Sequence, residues 1–160
     1  MAKKKSRPRH YWLMKTEPNE FSIDNLVAAP NQTTNWFGVR NYQARNLLRD
    51  EVKVGDRVLV YHSSCDEPAV VGTAVVVRDA YPDHSAFDAQ SDYFDAKSSP
   101  ENPRWVMVDI KLVKKLSRPV TIAELRTHHE LIELPLLRKG NRLSVQPVSA
   151  NQFAFIVKLA

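Results

Sequence analysis

Residues Arg104 to Leu116 read RWVMVDIKLVKKL, and the alternation in that run constrains the fold more than any other feature of the chain. Trp105, Met107, Asp109 and Lys111 interleave with Val106, Val108, Ile110 and Leu112. Successive side chains on a strand point to opposite faces, so a period of two sustained this long specifies an extended amphipathic strand rather than a helix. A second run, Ala69 to Val77, is almost wholly apolar or small. It reads as a strand buried on both faces, with a bend or a close backbone approach at Gly72. Tyr11 to Lys15 reads as a short buried strand ended by Thr16-Glu17-Pro18, and Arg57 to His62 as another, entered from the Gly55-Asp56 turn.

Short helices fall between these strands. Ser22 is placed to cap one that runs to about Ala28, with Ile23 and Leu26 facing inward. Pro30 to Asn35 reads as a polar loop. Asn41 opens a better helix, in which Tyr42, Leu47 and Leu48 supply apolar contacts and Arg45 and Arg49 share another face. Tyr81 to Pro103 is polar, acidic and irregular, and a segment of that length is a functional loop or a partly ordered flap. Thr121 caps TIAELRTHH, with Glu124 completing a capping box. Leu134 to Arg138 forms a helical turn closed by Gly140. Leu143 to Val145 is a short strand ended by Pro147, and Ser149 with Gln152 begins the final apolar segment, Phe153 to Leu159. With no internal repeat and no linker between halves, the reading is one α+β domain. Its five or six strands form a curled or barrel-like sheet.

Charge is unevenly spread. The net +5 is matched by Lys3, Lys4, Lys5, Arg7 and Arg9 in a first decade without acids. Residues 1–10 are therefore expected to be a basic disordered tail, with the domain spanning 11–160. Residues 66–109 carry nine acids against three bases, net −6, and residues 110–160 nine bases against three acids, net +6. A nucleic-acid face would have to come from the last third, from the Arg40/Arg45/Arg49 stretch and from the tail. No stretch approaches the roughly 18 apolar residues of a membrane span, and no apolar core follows the basic start, so neither a span nor a secretory signal is read. Cys65 is the single cysteine. That excludes an internal disulfide and a cysteine-based metal site.

Two constellations could carry chemistry. His62-Ser63-Ser64-Cys65 brings a base, hydroxyls and a thiol together in sequence. Neighbours on an extended strand face opposite ways, so a hydrolase using His62, Ser63 and Cys65 needs a bend there, and no nucleophile-elbow motif accompanies it. The second constellation is Thr34 to Asn46, which gathers aromatics, arginines, asparagines and a glutamine around a helix start. Trp36 offers a π-face on which a base can stack, and the amides carry both donors and acceptors for a base edge. The plainer account makes Trp36 and Tyr42 core aromatics and the arginines surface charge. The residues alone leave both open.

The ordered strings Tyr11-Trp12-Leu13-Met14-Lys15-Thr16-Glu17-Pro18, Trp36-Phe37-Gly38-Val39-Arg40-Asn41-Tyr42-Gln43-Ala44-Arg45-Asn46, Val54-Gly55-Asp56, Tyr61-His62-Ser63, Pro103-Arg104-Trp105 and Asn141 to Val148 resemble the EVE domain family. The resemblance runs from residue 11 to 159. It implies a PUA-like curled β-barrel, related to YTH domains, that reads a modified base without catalysis and without cofactor or metal. The implied partner is nucleic acid carrying a modified base, DNA ahead of RNA, with 5-methylcytosine or 5-hydroxymethylcytosine flipped into an aromatic pocket. By that analogy Trp36 forms one wall and Lys15 and Thr16 the polar pair beside it. Phe37, Gly38, Arg40, Asn41, His62, Ser63, Tyr81, Trp105 and Gln146 line or rim the mouth. Phe37 departs from the Asp common in the family. Arg45, Arg49, Lys114, Lys115 and Arg142 are expected along the nucleic-acid backbone. A small-molecule or nucleoside sensor is the alternative use of the same pocket. The favoured compartment is a bacterial cytoplasm, or a nucleus in a eukaryote.

Overall fold

The computed structural model describes residues 7–160. Its strands are β1 (Tyr11–Thr16), β2 (Thr33–Asn35), β3 (Arg57–His62), β4 (Ala69–Pro82), β5 (Val106–Thr121) and β6 (Val145–Val148). They form one curled sheet in the order β2-β5-β4-β3-β1-β6. The helices are α1 (Ile23–Ala28), α2 (Tyr42–Asp50), α3 (Ile122–Leu125) and α4 (Ala150–Leu159). β1 and β3 run parallel, Thr16 opposite His62, while the other pairings are antiparallel. Both central strands therefore deliver their carboxyl ends to one place.

Both faces of the sheet are covered, which explains the continuous apolar runs. Trp12 and Met14 on β1 and Val58 and Val60 on β3 join Ile23, Leu26, Trp36 and Leu48 in one cluster. The intervening Leu13, Leu59 and Tyr61 join Leu125, Leu131, Leu134 and Ile156 on the other face. Each fully buried leucine or isoleucine contributes about 1.5–3 kcal/mol. At Gly72 the β4–β5 register shifts, and an added Cβ would fall 2.4 Å from the Ile23 side chain. The sequence reading expected a bend or a close backbone approach at this glycine; the closest neighbour is the Ile23 side chain of α1.

Local chemistry sets most boundaries. Ser22 caps α1 with a reciprocal Asn25 bond, Asn41 caps α2, and Ser149 with Gln152 closes a capping box on α4. Several limits differ from the sequence reading. Thr33–Asn35, expected as loop, pairs with β5 as strand β2. β4 continues to Pro82 and β5 to Thr121, because each lends the other a hydrogen-bonding partner along the extension. Pro119 lies in a register break of β5, where a missing N–H is tolerated. Pro147 lies inside β6 rather than ending it, on the edge of the sheet. The capping box at α3 is only half formed. Thr121 accepts from the Glu124 N–H, but the Glu124 carboxylate is taken by Arg118 at 2.6 and 2.8 Å. Thr127 Oγ1 bonds the Glu124 carbonyl, and the helix stops at Leu125.

One buried carboxylate ties the N-terminal segment to the sheet. Asp56 accepts from the Trp12 indole (2.9 Å), from the His10 and Lys53 N–H groups, and from Arg7 at 2.6 Å. Burial pushes its pKa up, but these bonds, led by Arg7, outweigh burial and hold it below the ordinary carboxylate value. The expected free tail therefore does not include Arg7, while Lys3, Lys4 and Lys5 lie outside the described residues. Asp109, half-buried on β5, accepts from the Tyr81 hydroxyl. Among the described residues no helix is long and apolar enough to cross a membrane.

Candidate functional site

A cavity of about 490 Å³ opens beside the carboxyl ends of β1 and β3, within the roughly 300–1,000 Å³ span of small-ligand sites. Lys15, Thr16 and Glu17 reach it from the end of β1, and Ser63 and Ser64 from the turn after β3. Thr34, Asn35, Trp36, Phe37 and Gly38 form a second side. Tyr93 arrives from the long loop, and Asn141, Arg142 and Ser144 from the segment before β6.

The Trp36 segment is held at several points. Its N–H donates to the Val108 carbonyl at 2.7 Å, extending the β2–β5 pairing past Asn35. Its indole meets Phe21 edge to face, centroids 6.4 Å apart at 86°. Thr16 fixes Phe21 in turn by donating its hydroxyl to the Phe21 carbonyl at 2.8 Å. Gly38 turns the chain at φ +86°, and an added Cβ would sit 2.9 Å from the Tyr93 ring. Only glycine combines that conformation with that approach. The Gly38 N–H donates to Asp83 at 2.8 Å.

Asp83 is the buried anchor. Besides Gly38 it accepts from the Ser85 hydroxyl and N–H and from Arg40 at 3.0 Å. Burial alone would raise this carboxyl, but the Ser85, Gly38 and Arg40 donors overcome it and depress its pKa. Arg40 also donates to the Tyr93 carbonyl at 2.7 and 3.1 Å, to the Val39 carbonyl and to the Ser85 hydroxyl, and its guanidinium lies 5.2 Å from the Trp105 ring centroid. Arg40 thereby ties the loop carrying Tyr93 to the segment carrying Trp36.

The polar lining is mixed in charge. Lys15 is half-buried, makes no ion pair among the described residues, and has its pKa lowered by desolvation. The Tyr93 hydroxyl donates to Glu20 at 2.8 Å. Burial, then the bond to Glu20, pushes its pKa up to about 12. Phe37, 46% exposed, stands against Tyr93 at 5.7 Å and 79° on the open side. Trp36 is 6% exposed. It is thus both core and cavity wall, which joins the two accounts the sequence left open.

Of the twelve residues expected at the pocket, Lys15, Thr16, Trp36, Phe37, Gly38 and Ser63 line this cavity. The other six do not line it, because each is engaged by other partners. Arg40 is the clamp just described, and Asn41 caps α2 through the Ala44 N–H. His62 accepts the Ile23 N–H on Nε2 at 3.1 Å, and its pKa is lowered by burial, opposed by Asp24. Tyr81 faces Asp109 and carries the Arg78 guanidinium over its ring at 3.5 Å. Trp105 is buried, donates to Asp95 at 2.8 Å and stacks on Tyr42. Gln146 is buried against Asn141 and the Leu143 carbonyl. The Cys65 thiol lies 3.9 Å from the main-chain oxygen of His62, so the geometry does not pair it with the imidazole. Among the described residues no group of three or more metal-ligating side chains gathers.

Of the expected backbone contacts, only Arg142 lines the cavity. Arg49 is paired with Asp50, Lys115 with Asp24, and Arg45 donates to Asn46 and to the Arg104 carbonyl. Lys114 is exposed on β5. Sequence reasoning did not single out Glu20, Phe21 or Tyr93 as site residues. For Tyr93 the signal was an aromatic within the polar, acidic segment already suspected of function.

The EVE domain family model matches residues 10–159. Chicken thymocyte nuclear protein 1 is 42% identical over 93% of this chain and 68% of its own length. A hypothetical protein from Leishmania major has a solved structure with TM-score 0.89 and 48% identity, covering 95% of this chain and 94% of that one. Human THYN1 protein, solved in complex with 5-methylcytosine containing DNA, superimposes with TM-score 0.87 at 40% identity, covering 94% and 96%.

Proposed function

The chain belongs to the EVE domain family, and from that premise we propose that it is a non-enzymatic reader of a modified base in nucleic acid, DNA ahead of RNA. The favoured ligand is 5-methylcytosine or its hydroxymethyl derivative, flipped into the Trp36 cavity. The observation that carries the reading is the cavity itself: an aromatic wall, a half-buried lysine with no ion pair among the described residues, and acidic groups in about 490 Å³. The solved complex of the similar human protein with methylcytosine DNA adds support.

The chemistry of a cytosine edge matches this lining. Its O2 and N3 need donors, which the Lys15 ammonium and the Ser63 hydroxyl supply. Its N4 amino group needs an acceptor, and Glu17, Glu20 and Asn35 offer carboxylate and amide oxygens. Trp36 and Phe37 provide π-surface for ring and methyl, and stacking on an aromatic contributes about 1–3 kcal/mol. Recognition of one methyl adds about 1–3 kcal/mol. Residues 11–160 form the reading domain, and the residues before it a basic arm pinned at Arg7.

The test is competition. Bound fluorescent oligonucleotide bearing 5-methylcytosine is challenged with free 5-methyldeoxycytidine and with unlabelled oligonucleotide. A polymer reader releases its probe to the oligonucleotide at concentrations far below those the nucleoside needs. Equal potency of the two competitors contradicts the reading and makes the pocket a nucleoside sensor.

A further inference from the structure

We propose that the loop Arg138–Arg142 is a phosphate groove, which grips the nucleic-acid backbone flanking the base held in the Trp36 cavity. The inference rests on the reading above and adds where the strand runs. A second cavity, about 380 Å³, is lined by Arg138, Lys139, Arg142, Asn41 and Gln43. It shares Asn141 and Arg142 with the base cavity, so the two adjoin. A nucleotide whose base enters one carries its phosphates toward the other.

The groove gathers three cations along one short loop with no acid in its lining. Arg138, Lys139 and Arg142 are exposed, and among the described residues their side chains make no hydrogen bond or ion pair. Elsewhere Arg7, Arg40, Arg49, Lys115 and Arg118 each hold a carboxylate. Those cations are already compensated, whereas the three on the loop present uncompensated positive charge to solvent.

The loop is also built rather than loose. Asn141 donates to the Pro135 carbonyl at 2.6 Å, and its Oδ1 accepts from the Leu143 N–H and from buried Gln146 at 2.9 Å. Gln146 donates as well to the Leu143 carbonyl at 2.7 Å. Gly140 takes φ +78°, which turns the chain between Lys139 and Arg142. Gln146 therefore acts as the buckle that sets the groove, which explains its burial beneath a polar loop. A scaffold fixed before binding loses less ordering entropy on binding than a mobile basic arm.

The experiment measures binding of a 5-methylcytosine duplex between 50 and 300 mM salt. It compares wild type, the triple variant Arg138→Gln/Lys139→Gln/Arg142→Gln and the control Lys53→Gln/Lys97→Gln. Each lost phosphate contact lowers the slope of log K against log salt by about 0.9. The triple variant is expected to lose about 2 to 3 from that slope, while the control keeps the wild-type value. The preference for 5-methylcytosine over cytosine is expected to be unchanged in both, because Arg142 borders the base cavity but none of the replaced residues is among the groups assigned to the cytosine edge or ring. The replaced side chains make no hydrogen bond or ion pair among the described residues, so thermal melting should match wild type. An unchanged slope in the triple variant, or the loss appearing in the control, overturns the groove. A wild type without preference for any modified base refutes the reader itself, and is distinguishable from either.

Discussion

Replacing Asp83 by Asn tests whether one buried carboxylate fixes the cavity wall. One Asp83 oxygen receives the Gly38 N–H and Arg40, and the other receives both donors of Ser85. An amide keeps one acceptor and turns an NH2 toward donors on the other side, and the charge opposite Arg40 disappears. Removing one partner of a buried ion pair costs about 3–5 kcal/mol. Arg40 retains 22% side-chain exposure and its bonds to the Tyr93 carbonyl, which places the loss at the lower end, about 3 kcal/mol. For a domain of this size that is a fall in Tm of roughly 6–12 °C at pH 7. The pH dependence has a definite sign. Asp83 is depressed in the folded protein, so its contribution is complete above the unfolded value of 3.8 and is lost as pH falls through the lower folded value. The gap between wild type and variant should therefore be constant from about pH 5 to 8 and close in more acidic solution. Differential scanning calorimetry across that range reads both quantities. A variant melting within about 2 °C of wild type at pH 7, or a gap that persists in acid, would refute the anchor.

Other positions give further tests. Gly38→Ala places a methyl at φ +86° against Tyr93 and should cost about 1–3 kcal/mol, read by chemical denaturation. His62 has a folded pKa below 6.5, so its contribution is full above that value and declines as pH falls below it. His62→Ala should lower stability near neutrality and flatten that acid decline. Identical pH profiles for the two proteins would remove the His62–Ile23 bond from the account. Charge removal on the Arg138–Arg142 loop should reduce the salt dependence of DNA binding while sparing base preference.

The sequence made the strands legible where both partners of a pairing were strongly patterned. The alternation at 104–116 and the apolar run at 69–77 found neighbouring strands, although neither revealed how far each extends the other. Thr33–Asn35 was missed because three polar residues form a strand only when β5 is there to pair with. Helix starts at Ser22, Asn41 and Ser149 were readable because a cap is local chemistry. The half-formed capping box of α3 was not, since it depends on Arg118 reaching Glu124 from β5. The cavity was legible where neighbours in sequence remain neighbours in space, as at Lys15-Thr16 and Trp36-Phe37-Gly38. Arg40 and Trp105 look like ligand groups in sequence, but partners in other segments make them supports, and Gln146 is turned inward onto its neighbours Asn141 and Leu143. Tyr93 could be found only once Gly38 and Asp83 brought its loop across the mouth.

The most direct test of the reader account is the affinity of wild type, Trp36→Ala and Lys15→Met for matched DNA and RNA oligonucleotides. Each would carry one cytosine, 5-methylcytosine, 5-hydroxymethylcytosine or N6-methyladenine, at two salt concentrations, with melting curves to certify each fold. The account predicts that wild type prefers one modified cytosine by roughly 10–200-fold at both salts, and that folded pocket variants lose this preference while keeping salt-dependent backbone binding. Equal affinity of wild type for every base, collapsing with salt, would contradict it.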